Sequence, residues 1–201
     1  MILHGLKVIA EELNNHLNTL PFSLEDTVVL GNIGGIEGSG GGALRGGIVM
    51  TLVSIREEKT LKNGVHSRTN DRTLRTEYFN PPVFVNLYVL FSVTSNAYET
   101  SLTHLSRIVR FFQSKNVFTH ENSVDVGGNN YDRMTEFKLI MELYSPSFEE
   151  MNYLWGTLGG KQYPSVLYCV RLVELKHETI IQGGGVVMEI EQNAGVIPPL
   201  S

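Results

Sequence analysis

Apolar residues recur at helical spacing over Ile2, Leu6, Ile9, Leu13, Leu17 and Leu20, with Lys7, Glu11, Glu12, Asn14 and Asn15 between them. The spacing predicts an amphipathic helix that Pro21 ends. Asp26–Leu30 reads as a short strand running into Gly31–Gly47, which holds nine glycines in 17 positions. Each glycine costs backbone entropy to order, so this segment is expected to be a flexible loop. Ile48–Ile55 is rich in β-branched residues and predicts a strand. Thr60–Asn80 is polar and reads as a long solvated connection. Val83–Val93 is apolar on both faces, the mark of a central strand.

A second helix is expected from about Ala97 to Lys115, with Tyr98, Leu102, Leu105, Val109 and Phe112 facing inward. Phe137–Tyr144 reads as a strand. Ser147-Phe148-Glu149-Glu150 has the capping-box spacing, in which Ser and Glu satisfy each other's backbone donors. It opens a third helix with Phe148, Met151, Leu154, Trp155 and Leu158 inward and Gly159 at its C-terminal stop. A long strand follows over Val166–Leu175. Gly183-Gly184-Gly185 is expected to break the chain before a last strand, Val186–Ile190. That strand has an apolar face to bury, either in a hairpin onto Val166–Leu175 or on the sheet edge of another chain. Several strands and few helices predict an α+β fold: a mixed sheet flanked by about three helices in a single domain.

Composition narrows the function by exclusion. The net charge of −5 over 201 residues disfavours a sequence-independent nucleic-acid binder, which needs many Lys and Arg to displace counterions. Lys7, Glu11 and Glu12 interrupt any signal-peptide core, and no run of about 18 apolar residues is present. Synthesis and assembly in the cytoplasm, with no membrane span, are therefore expected. Cys169 is the one cysteine, which leaves no disulfide framework and no cysteine-rich zinc site.

The candidate chemistry is sparse. A phosphate-binding loop of the P-loop type needs a Lys and a hydroxyl after its glycines, and here Arg45 is the one cation. Gly38-Ser39-Gly40-Gly41-Gly42-Ala43 matches a dinucleotide fingerprint, but only Leu44–Gly47 separate it from the next strand, so no helix fits to hold a pyrophosphate. The histidines His4, His16, His66, His104, His120 and His177 make neither H-x-H nor H-E-x-x-H. His104 reads as a helix-surface residue, and His177-Glu178 would point to opposite faces of a strand. Cys169 lies in an apolar strand, where it acts as a small hydrophobe. No catalytic constellation emerges, no cofactor is implied, and a nucleotide-dependent enzyme remains only as a rival class. Trp155 reads as core rather than as an interface anchor.

One ordered set of motifs is familiar. Asn80-Pro81-Pro82-Val83-Phe84-Val85-Asn86-Leu87-Tyr88-Val89-Leu90-Phe91 precedes the helix Tyr98–Phe112. Leu143, the helix Ser147–Leu158 with Trp155-Gly156-Thr157-Leu158-Gly159-Gly160, and Tyr163-Pro164-Ser165-Val166-Leu167-Tyr168 follow. The set resembles the N-terminal domain of cap, or tail-terminator, proteins of bacterial contractile injection systems, of the antifeeding-prophage and Photorhabdus-virulence-cassette type. It covers most of residues 1–178. The Gly31–Gly47 segment is a departure, and so is the lack of a second domain that some relatives carry.

The resemblance implies a structural, non-enzymatic protein. It implies a homo-oligomeric, hexameric ring that sits on the inner tube and sheath and stops their polymerisation. Another ring or baseplate adaptor of the same particle, or an unrelated small adaptor, are the alternatives. Under this reading residues 1–178 form the cap-like domain, with 31–47 as an inserted loop and 179–201 as a C-terminal arm. Both flexible parts are expected to carry contacts between chains, with Ile36, Leu44, Arg45, Val186, Met188 and Ile190 as interaction residues.

Overall fold

The computed structural model describes residues 1–20, 27–38, 41–58, 67–70, 75–79, 83–127, 134, 136–175 and 180–186, and only the backbone of 67–70, 75–79, 172–175 and 180–186. The chain divides into two units, Met1–Lys59 with Val83–Leu175, and Thr60–Pro82 with Lys176–Ser201.

The first unit is a six-stranded mixed sheet with helices on both faces, an α+β fold as expected. Its strands are β1 (Val28–Leu30), β2 (Ile48–Glu57), β5 (Val83–Val93), β6 (Val117–Thr119), β7 (Lys138–Tyr144) and β8 (Ser165–Leu175), in the order β1-β2-β5-β8-β7-β6. β1 runs parallel to β2 and every other pair is antiparallel. The run that is apolar on both faces, β5, is central.

α1 (Ile2–Thr19) and α2 (Tyr98–Ser114) cover one face. Their core joins Ile9, Leu13 and Ile108 to Met50, Val89, Phe91, Leu139 and Val170. α3 (Phe148–Thr157) and the segment after β1 build a smaller core on the other face, around Ile33, Ile36, Val49, Leu90, Trp155 and Leu167.

α1 and α3 begin and end where the sequence places them. In the capping box, Ser147 Oγ accepts from the Glu150 amide at 3.2 Å, while Glu150 Oε2 accepts from the Ser147 amide at 2.9 Å. At the other end Gly159 adopts φ +105, and the Gly160 amide closes back onto the Trp155 carbonyl at 2.7 Å. That is the glycine stop the sequence predicts.

α2 lies rotated from its expected setting. Ser101, His104, Ile108, Phe111 and Phe112 are buried, whereas Tyr98 and Leu102 are exposed. His104 is therefore a core residue and not a surface one. Apolar side chains occupy more than half of this helix's circumference, so spacing alone does not set its rotation. The aromatic contacts do: Phe112 lies 5.4 Å from the Phe91 ring and 4.8 Å from that of Tyr168. β6 was not anticipated, because three residues carry no periodicity.

The Gly-rich segment differs most from expectation. Over its described residues it forms two short 3₁₀ turns, Ile33–Gly35 and Gly41–Leu44, that pack on the sheet. Thr51 Oγ1 accepts from the Ile33 amide at 3.1 Å and donates to the Gly31 carbonyl at 2.7 Å. Thr94 Oγ1 accepts from the Gly47 amide at 3.2 Å and donates to the Leu44 carbonyl at 2.7 Å. Buried Ile33 and Ile36, with threonines waiting in the neighbouring strands, offset the entropy that the glycines lose.

In the second unit, β3 (Ser67–Asn70), β4 (Arg75–Phe79) and β9 (Ile180–Val186) form an antiparallel sheet in the order β3-β4-β9. Thr60–Asn80 is thus not only a solvated connection. A strand runs over Ile180–Val186, ahead of the expected one, and Gly183–Gly185 fall inside it, with Gly183 opposite Glu77. Three glycines offer no side-chain alternation, so nothing in the pattern marks this strand. It pairs with β4. The expected strand beyond Val186, His66, and His177-Glu178 lie outside the described residues.

Candidate docking interface

No described helix is long and apolar enough to cross a membrane. Among the described residues no group of three or more His, Cys, Asp or Glu could hold a metal ion. Cys169 is buried, opposite Tyr88 and Glu142 on the neighbouring strands, and its thiol is pushed above its ordinary pKa, first by burial and then by the nearby Glu142 carboxylate. A thiol held protonated in this way is a poor nucleophile. The chemistry on the surface is that of contact.

Three exposed apolar groups of the first unit, Phe148 foremost, lie on β7 and α3. Phe148 is 98% exposed, Tyr153 66% and Leu143 55%. Phe148 stands seven residues before the buried Trp155, on the same face of α3, so the sequence rightly gives it a core-facing direction. Among the described residues nothing packs on Phe148 beneath that face. An exposed phenylalanine on a helix fixed by a capping box is a rigid anchor of the kind that dominates interfaces.

Beside it runs an open cleft of about 310 Å³, lined by Val53, Arg56, Tyr88, Tyr144, Tyr153 and Leu154 among others. Tyr88 and Tyr144 meet edge to face at 5.1 Å, and the Arg56 guanidinium sits 5.0 Å from the Tyr88 ring. Tyr144 donates to Glu150 Oε1 at 3.3 Å. Its pKa is raised, first by desolvation and then by that carboxylate. Further along the same sheet face, Arg171 bridges Glu142 at 3.2 Å and Glu58 at 3.5 Å. Tyrosines rimmed by paired charges suit a protein surface better than a small substrate.

Of the residues expected from the sequence, Ile36, Leu44 and Arg45 lie together in the first unit. Ile36 is buried in the smaller core, so it is a packing residue and not a contact residue. Leu44 is partly buried and packs within the chain, its Cδ2 filling the space where Gly31 has no side chain. Arg45 is exposed and reaches Glu37 and the Ile36 carbonyl, both at 3.4 Å. Glu37 also holds Lys161 at 3.0 Å, and this is the main cause of its lowered pKa. Val186 ends β9 opposite Arg75 of the same chain, and Met188 and Ile190 lie outside the described residues. Trp155 is core, as predicted.

The sequence reading allows the tyrosines as interface anchors, Tyr153 among them, but misses Phe148 and Leu143 as surface groups. It also missed the exposed Tyr98–Leu102 stripe. The one available signal was that α2 carries more apolar positions than one buried face needs.

The family model described as the Pvc16 N-terminal domain matches residues 6–189. A solved structure described as the sheath/tube terminator of PVC, an extracellular contractile injection system, in the extended state superposes with a TM-score of 0.62 at 13% identity. The match covers 100% of this chain and 65% of that one. The tube-terminating cap of the anti-feeding prophage superposes with a TM-score of 0.58 at 14% identity, over 98% of this chain and 62% of the other. The chain thus spans slightly less than two-thirds of each structure. No curated protein matches it.

Proposed function

The chain belongs to the Pvc16 N-terminal domain family, and on that premise we propose that it is a structural cap of a contractile injection particle. It ends the growth of the inner tube and sheath by docking on their last layer. The observation that carries this reading is the superposition of the whole chain on a sheath/tube terminator. The surface agrees with it, since exposed aromatics and charge pairs are placed for contact on rigid elements. The cap acts as a ring of six copies, matching the symmetry of a six-fold tube. Assembly takes place in the cytoplasm, with tube and sheath proteins as partners and no cofactor or nucleic acid.

Leu44, Arg45, Val186, Met188 and Ile190 remain candidate contacts between chains. Val186 belongs to β9, the edge strand of its sheet, whose outer side is open to a further strand among the described residues.

Electron microscopy of particles made without this gene tests the reading. Tubes of uncontrolled length, or tubes bare of sheath, are expected. Particles of normal length with sharp ends would overturn the cap, and complete loss of assembly would point to a baseplate adaptor.

A further inference from the structure

We propose that the outer edge of β7 at Leu143 is an acceptor for an extended, basic segment of another protein chain. β6 covers only half of β7. Its three residues pair with Lys138–Ile140, and the last backbone bond on that side runs from the Met141 amide to the Asn116 carbonyl at 2.8 Å. Backbone groups alternate sides along a strand. Met141 faces outward, Tyr144 is in register with Leu167 of β8, and so the Leu143 amide and carbonyl face outward too. Neither has a partner among the described residues.

The opposite edge of the sheet is treated differently. There Asn14 presents its side-chain amide to β1, accepting from the Val28 amide at 2.7 Å and donating to the Val28 carbonyl at 3.4 Å, much as a neighbouring strand would. Among the described residues no side chain seals Leu143 in this way. An extended backbone offers an acceptor and a donor at the spacing that the Leu143 amide and carbonyl present.

The side chains agree. Tyr144 packs toward α3, so Leu143 points to the other face, and both it and Phe148 are exposed. A strand laid along this edge would cover Leu143 with one set of alternate side chains and Phe148 with the other. Charge selects the occupant: Arg171 already pairs Glu142, but Glu149 and Glu150 rim the corner as exposed carboxylates, which favours Lys or Arg at the ends of the strand. The chain's own tail, with Glu189 and Glu191, has the wrong sign.

The test is amide exchange by NMR on the full labelled chain. It is titrated with synthetic peptides of about eight residues that alternate Thr and Val and carry Lys at both ends or Glu at both ends. The basic peptide is expected to slow exchange of the Leu143 amide about tenfold or more, and the acidic one to leave it unchanged. Leu143→Pro removes a donor that the folded chain does not use, so it should fold, and the chemical-shift changes that the basic peptide induces at Tyr144 and Phe148 should be lost. Should that variant not fold, Phe148→Ser is expected to weaken basic-peptide binding several-fold at unchanged melting temperature. An unprotected Leu143 amide with the basic peptide, equal protection by both peptides, or an unweakened Phe148→Ser would each overturn the proposal.

Discussion

Gly41 lies directly against the carbonyl oxygen of Ile36: a methyl group on its Cα would overlap that oxygen. The approach closes the second 3₁₀ turn onto the first and seats Ile36 in the smaller core. Gly41→Ala should therefore push the turn off the sheet and destabilise the chain by about 1–3 kcal/mol, the usual cost of overpacking. A Cβ at Gly35 or Gly42 would meet nothing within 4 Å. Gly35→Ala and Gly42→Ala should change stability by less than about 1 kcal/mol. Urea unfolding of the three variants checks this, and equal effects at all three positions would refute it.

A charged bridge ties the helices to the loop after β6. Lys115 Nζ donates to Glu12 Oε2 at 2.7 Å and to the Asn122 carbonyl at 2.7 Å, while Glu12 Oε1 accepts from the Val124 amide at 2.7 Å. Both side chains are mostly shielded from solvent. Glu12→Ala leaves an amide and an ammonium without their acceptor and should cost about 2–3 kcal/mol. Lys115→Ala should cost somewhat less, because the Glu12 carboxylate keeps the Val124 amide. Thermal unfolding of the two variants gives the order, and a reversed order would show that Lys115 matters through something other than Glu12.

Trp155 is the one tryptophan and is buried in the smaller core, so its fluorescence reports on that core alone. Emission should be blue-shifted in the folded chain and move to the red on unfolding. Trp155→Ala should cost about 3–5 kcal/mol. Trp155→Phe should cost clearly less, because the indole N–H has no partner among the described residues to lose. A solvent-like emission from the folded protein would show that α3 does not pack as described.

Cys169 supplies a pH test. Its thiol pKa is raised in the folded chain by burial, so the folded state holds the proton to higher pH than the unfolded state does. Stability is then fully present below the ordinary thiol range and declines as pH rises through it. At pH 8 a thiol-specific disulfide reagent should label the folded chain at least about tenfold more slowly than the urea-unfolded chain. Equal rates would mean that β8 opens readily around Cys169.

Much of this was legible in the chain itself. α1, α3 with its Ser147–Glu150 box, the central strand β5 and the core role of Trp155 follow from local rules. Capping, apolar spacing and a two-sided apolar run act within a few residues. The ordered motifs from Asn80 to Tyr168 also pointed to the family, because their sequence of elements is itself information. Other features depended on partners far along the chain. The rotation of α2 was set by Phe91 and Tyr168, not by its own spacing. The glycines after β1 were ordered by Thr51 and Thr94, whose hydroxyls no local pattern links to them. β9 found β4 across some hundred residues through backbone groups that every sequence shares. The contact surface was the least legible. Phe148 has the spacing of a core residue, and only the place where the sheet ends beneath α3 leaves it in solvent. Sequence periodicity fixes the direction in which a side chain points, but the packed neighbours decide whether anything lies there to bury it.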